Sequence, residues 1–216
     1  GKNKDATDAV ADYVTGLQTV HGVADYVTVN ISSPNTQGLR DLQHKAALAA
    51  LLSALREARA GCEAREGRRV PLLLKVAPDL SAAEREDVAE VVLAHGVDGL
   101  IVSNTTLSRP AHLRSRHATE AGGLSGLPLL PLADASLAHF YRLTQGRLPL
   151  IGVGGIASAA DAYRKIRLGA SLVQLYTALV YEGLGLVPNM AQGLAAYLTK
   201  DGFSSIVEAV GIDAKL

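Results

Sequence analysis

Five short apolar runs, each followed by a helical pattern, set the strongest constraint on this chain. The runs are DYVTVNI, VPLLLKVA, VDGLIVSN, LPLIGVGG and SLVQLYTAL. They are nearly continuous rather than alternating, the pattern of parallel strands covered on both faces. The intervening helical segments include residues 5–21, KAALAALLSALREARAG, SAAEREDVAEVVLAHG, SLAHFYRLTQG and SAADAYRKIRLGA, with MAQGLAAYLTKDG and a short SSIVEAVG element at the end. Ser81 followed by Glu84 predicts a capping box, and Gly146 predicts a helix stop. Two architectures suit such an alternation, an open doubly wound sheet and a (β/α)8 TIM barrel. Polar residues cluster at the C-terminal ends of the runs: Asn30 and Ser33, Lys75, Asn104 and Thr105, Gly154 and Gly155, Tyr176 and Thr177. A barrel collects such positions on one rim, which favours the α/β barrel. Five strands are visible, so the other three of a barrel are expected to precede Gly1.

The 216 residues fit one domain or part of a larger one. Lys plus Arg and Asp plus Glu number 21 each, so charge gives no argument for nucleic-acid binding. No apolar run reaches the roughly 18 residues of a membrane span. The opening GKNKDATDAV has no Met and leads from a polar loop into a helix, which reads as a fragment or a processed piece. Cys62 is the single cysteine, in a polar helix end with no nearby base, and reads as incidental. His21, His44, His95, His112, His117 and His139 are scattered without metal-ligand spacing, so no metal is assigned.

Several residues invite chemistry. Lys75 lies inside an apolar strand, where burial is costly unless the charge is paired or used. It can snorkel out, serve as a fixed cation facing an anion or an electron-rich ring, or form a Schiff base. Asn104 and Thr105 offer hydrogen-bonding groups for a polar planar ligand, or a structural loop cap. Gly154 and Gly155 let backbone N–H groups approach an anion at a helix start, with Tyr176 and Thr177 adding donors from the next strand. The glycine-rich stretch EAGGLSGLPL, residues 120–129, drapes over a flat ligand or forms a surface loop. NISSPNTQGLR reads as a mobile lid that carries Ser33, stiffened by Pro34 and hinged at Gly38. No local His or Asp completes a triad with Ser33, which argues for a proton acceptor rather than a nucleophile.

Taken together, VNISSPNTQGLR, LLLKVAPDL, GLIVSNTT, GGLSGLPL, LIGVGGIAS and GASLVQLYTAL closely resemble the class 2, quinone-dependent dihydroorotate dehydrogenases. QLYTAL and the tail look more like the animal enzymes. The resemblance covers almost the whole chain. It implies that residues 1–216 are the C-terminal part of a single FMN-binding (β/α)8 barrel that oxidises dihydroorotate to orotate in pyrimidine synthesis and passes electrons to ubiquinone. By this resemblance Ser33 is the catalytic base, where class 1 enzymes carry a cysteine. Asn30, Asn35, Asn104 and Thr105 match substrate contacts, and Thr36 a lid position. Lys75 matches the lysine beside the flavin. Asn30, Ser103, Ser125, Gly126, Gly154, Gly155, Tyr176 and Thr177 match flavin and phosphate contacts. The resemblance also implies an N-terminal helical pair that forms the quinone tunnel and contacts the mitochondrial inner membrane. Two other readings share these residues: a different phosphate-binding barrel, a lyase or isomerase using Lys75, and a non-catalytic barrel-derived module.

Overall fold

The computed structural model describes residues 2–3, 5–36, 38–111 and 113–214; His112 lies outside them. The strands are β1 (Val27–Asn30), β2 (Leu72–Val76), β3 (Gly99–Val102), β4 (Leu150–Val153) and β5 (Ala170–Gln174). The helices are α1 (Ala9–Val20), α2 (Lys45–Glu66), α3 (Ala82–His95), α4 (Leu130–Thr144), α5 (Ala159–Arg167), α6 (Thr177–Glu182), α7 (Leu186–Asp201) and α8 (Ile206–Ala209). Short 3-10 turns cover Leu39–Gln43 and Leu127–Leu129.

All pairings are parallel and the strand order is β1-β2-β3-β4-β5. A doubly wound sheet reverses its order at a switch point. Here every strand pairs with its neighbour in sequence, which is the order of consecutive barrel strands.

Two register rows show what the sheet separates. Val29, Leu74, Leu100, Leu150 and Ala170 are partners across the five strands. All are buried in the core shared with the helices. In the next row, Asn30, Lys75, Ile101 and Ile151 point to the opposite face because strand side chains alternate, and a register irregularity between Leu150 and Ile151 makes Leu172, not Ser171, their partner on β5. That inner row begins polar and ends apolar, and Leu172 is 63% exposed.

The helices follow from spacing and caps. Leu48, Leu51, Leu52, Leu55, Arg59 and Cys62 form one buried stripe along α2, at intervals of three and four residues. Ser81 and Glu84 form the expected capping box. Several expected bounds shift. Helix α1 starts only after Asp8, whose carboxylate accepts from the Ala11 N–H, rather than at Asp5. Helix α4 begins at Leu130, with Pro131 in its first turn, well before SLAHFYR. Gly146 closes it as expected, with φ 67° and its N–H donating to the Tyr141 carbonyl at 3.3 Å, and Gln145 just before it is also left-handed, at φ 54°. The run SLVQLYTAL is split: strand β5 ends at Gln174 and Thr177 already begins α6.

Candidate active site

Ten residues from strand ends, the loops after them and one helix start converge on one cleft at the C-terminal ends of the strands. Lys75, Ser103, Asn104, Thr105, Ser125, Gly126, Gly154, Gly155, Tyr176 and Thr177 line a cavity of about 210 Å³. A second hollow of about 540 Å³ adjoins it, sharing Ser125, Gly126, Gly155 and Thr177.

Lys75 lies on the inner face of β2 and is half-buried. Among the described residues it makes no hydrogen bond or ion pair, and burial holds its pKa below the ordinary lysine value. An uncompensated cation facing a cleft is suited to an electron-rich or anionic ligand.

Asn30 and Asn104 meet above β2. The Asn30 side-chain oxygen accepts from the Ser32 hydroxyl at 2.9 Å and from the Asn104 amide at 3.3 Å. Asn104 also donates to the Ser32 hydroxyl at 3.0 Å, and its oxygen accepts from the Thr105 N–H at 2.8 Å. From below, Tyr13 donates its hydroxyl to the Asn30 carbonyl at 2.5 Å. Burial pushes the Tyr13 phenol up to about 12, so it remains a donor at ordinary pH.

The segment carrying Ser33 approaches from one side. Ser33 is partly exposed, and its hydroxyl accepts from the Asn35 N–H at 3.2 Å. The Thr36 carbonyl accepts from the Leu39 N–H, and Gly38 adopts φ 70° at the start of the 3-10 turn. Ser33, Asn35, Thr36 and Gly38 are not among the cleft-lining residues; they stand beside it. The glycine-rich loop meets them. Thr106 and Leu124 form a bridge, and Arg109 donates to the carbonyls of Glu120 and Gly122. A Cβ at Gly123 would lie 3.2 Å from Pro34 and inside the Thr105 side chain, so only glycine lets the loop close here. The loop is thus a docked element of the site.

At the other end, Gly154 and Gly155 have φ values of 113° and 77°. A Cβ on Gly155 would meet the Leu130 Cα at 2.7 Å and its backbone nitrogen at 2.9 Å. The glycine turn is therefore pressed against the first residue of α4. The hydroxyl of Thr177 donates to Ser125 at 3.0 Å, joining the two loops that flank this turn.

Ser32, Arg40, Asp79, Arg109 and Gly123 were not singled out from sequence. Asp79 is a charged residue just after a strand, a signal close to the one that marks Lys75, but Arg40 lies ten positions past β1 and their pairing across 39 positions is invisible in one chain. Cys62 is corrected. It is buried in the α2 stripe, and its sulfur and ligand atoms of His21 and Glu66 lie within 4.8 Å of one another. The cluster already holds a cation: Arg65 donates to Cys62 at 3.4 Å and to Glu66 at 2.7 Å, while Glu66 meets His21 at 2.6 Å. It is a hydrogen-bonded junction between the ends of α1 and α2, remote from the cleft.

Fold and site together define a segment of a (β/α)8 barrel with a ligand cleft on its C-terminal rim. The comparisons specify the family. The family profile described as dihydroorotate dehydrogenase matches residues 1–198, and the chain belongs to that family. It is 56% identical over 216 residues to the dihydroorotate dehydrogenase (quinone) of Parvibaculum lavamentivorans. It is 55% identical over 215 residues to that of Azorhizobium caulinodans. Each match takes in 100% of this chain and 60% of the relative. The crystal structure of DHODH in complex with ferulenol from Eimeria tenella superposes with a TM-score of 0.95 at 38% identity, covering 100% of this chain and 61% of that one. The chain thus spans about 60% of the length of the curated relatives it matches.

Proposed function

We propose that residues 1–216 are the C-terminal part of a single FMN-binding barrel domain in a quinone-linked dihydroorotate dehydrogenase. The observation that carries this reading is the pairing, in one cleft, of the uncompensated Lys75 ammonium with the glycine turn at Gly154 and Gly155. The donor set fits FMN. The turn and the Thr177–Ser125 pair offer donors for a phosphate, and Lys75 offers a cation for a ring. Ser103 and Gly126 line the wall between them. The cleft and its neighbouring hollow together reach the usual small-molecule range of about 300–1,000 Å³.

When bound, FMN supplies the acceptor for the hydride that leaves C6 of dihydroorotate. The chain's own residues do the rest. Asn30, Asn35, Asn104 and Thr105 hold the substrate's carboxylate, amides and carbonyls. Ser33 removes the C5 proton from a site that its loop, with Thr36 and Gly38, closes against water. Lys75 offsets negative charge where it develops. Tyr176, 81% exposed, marks the open side of the cleft.

Ubiquinone is the proposed final acceptor, supported by the quinone designation of both bacterial relatives. No described helix is long and apolar enough to cross a membrane. The proposed seat is a quinone-bearing membrane surface, reached through the part of the protein outside the match. The finer assignment to an animal mitochondrial inner membrane rests on QLYTAL and the tail, whereas the two relatives are bacterial.

The natural full-length protein should purify with bound flavin whose absorbance is bleached anaerobically by dihydroorotate and restored by a soluble ubiquinone. Flavin-free protein, or flavin that dihydroorotate leaves oxidised, would overturn the proposal.

A further inference from the structure

Three strand ends meet at one guanidinium. Arg40 sits in the 3-10 turn Leu39–Gln43, and its side chain is only 21% exposed. Its Nε donates to the Ser32 carbonyl at 3.1 Å, one nitrogen of the fork to the Asp79 carboxylate at 2.9 Å, and the other to the Thr105 carbonyl at 3.1 Å. These acceptors follow β1, β2 and β3 respectively. The other Asp79 oxygen accepts from the Thr106 hydroxyl and from the Ser108 hydroxyl at 3.4 Å, and the Leu107 N–H at 3.3 Å joins Arg40 on the first.

Neither Arg40 nor Asp79 lines the cleft. Both act through the backbone they hold. Ser32 immediately precedes Ser33, and Thr105 immediately follows Asn104. A planar guanidinium fixes the directions of its acceptors relative to one another, which a lysine ammonium on a flexible stem does not. The contacts therefore set the spacing between the segment that carries the proposed base and the segment that holds the proposed substrate clamps. An ordinary exposed ion pair would add little and constrain nothing; here two of the three acceptors are main-chain carbonyls of the site.

We propose that Arg40 and Asp79 form a positioning pair that holds the Ser33 segment in register with Asn104 and Thr105. The inference rests on the function proposed above and deepens it. Misplacement by about 1 Å costs roughly 100-fold in rate when reacting groups are otherwise intact. The loss falls on proton removal and leaves flavin binding in place.

The test uses the full-length flavin-loaded protein with Arg40→Lys, Asp79→Asn and the double variant. Anaerobic stopped flow with dihydroorotate, normal and deuterated at C5, reads flavin reduction; flavin content and thermal midpoint are measured alongside. Arg40→Lys is expected to keep its flavin and to slow reduction by about 10- to 100-fold, with a larger C5 isotope effect than the parent. The double variant is expected to be no slower than the slower single variant, because the two residues act as one unit. Unchanged reduction and isotope effect, with only a lowered thermal midpoint, would overturn the positioning role. Amide hydrogen exchange supplies an arm independent of substrate: Arg40→Lys should speed exchange across residues 31–36 and 104–106, and unchanged exchange there would also overturn it. Parent protein whose flavin ignores dihydroorotate would count against the proposed function, and the exchange arm would still decide the positioning claim.

Discussion

Asn104 reaches across β2 to donate to the Ser32 hydroxyl at 3.0 Å, so the amide that follows β3 is aimed by a serine that follows β1. Ser32 is fully buried, whereas Ser33 is partly exposed. Two adjacent serines thus have separable tasks, one holding an amide and the other free to meet a ligand.

Ser33→Ala in the full-length protein should keep FMN and orotate binding and slow flavin reduction by at least about 100-fold, the scale of a lost general base. Anaerobic stopped flow measures this, and reduction at the parent rate would remove Ser33 from the mechanism.

Ser32→Ala should do something different. It leaves the Asn104 amide and the Asn30 oxygen each short of a partner. Orotate affinity should fall about 3- to 30-fold, the cost of one lost or misdirected hydrogen bond, as read from the flavin spectrum during titration. A variant with parent-like affinity would show that Ser32 does not orient the clamp.

Lys75→Met should separate stability from function. Burial lowers the Lys75 pKa, so the unfolded chain binds this proton more tightly than the folded one. Stability therefore rises with pH between the folded and unfolded values, and below that window the full penalty is present. Lys75→Met removes the penalty. Flavin-free Lys75→Met should melt at or above the parent midpoint at pH 7, with the difference shrinking toward the ordinary lysine value of about 10.4. In flavin-loaded protein the same substitution should slow reduction by roughly 10- to 100-fold. A clearly lower midpoint would show that Lys75 makes a stabilising contact instead.

Gly155→Ala should damage both fold and ligand binding. The new methyl group would overlap the start of α4, and φ 77° is unfavourable for alanine. Destabilisation of about 1–3 kcal/mol is expected, together with weakened flavin retention. Ser81→Ala is the matched control. It removes the capping box of α3 without touching a residue that lines the cleft, and should cost about 1 kcal/mol with flavin retention unchanged. Chemical denaturation measures both, and equal effects on flavin retention would mean that the glycine turn has no special place in the site.

The parts legible in the sequence were those written in local patterns. Continuous apolar runs exposed the parallel strands, and polar residues at their ends exposed the rim. Ser81 with Glu84 disclosed its cap. The sequential strand order was not local information; it appears only in the pairing of β1 through β5. For the same reason Ser32 and Arg40 were missed, since their partners lie 72 and 39 positions away. The burial of Cys62 was missed because the residues around it in the chain are polar, while the helix periodicity carries it inward with Leu55 and Arg59.

The cleft wall carries the Lys75 ammonium and the Asn104 amide together with Leu129, Ile156 and Leu175, which has a consequence for any flat molecule lying across it. One edge would rest on an amide and an ammonium, the other on hydrocarbon. Such a surface acts like a miniature phase boundary. A ring with a wet edge and an oily edge would be turned the right way round by partitioning alone, before any individual hydrogen bond chose its partner.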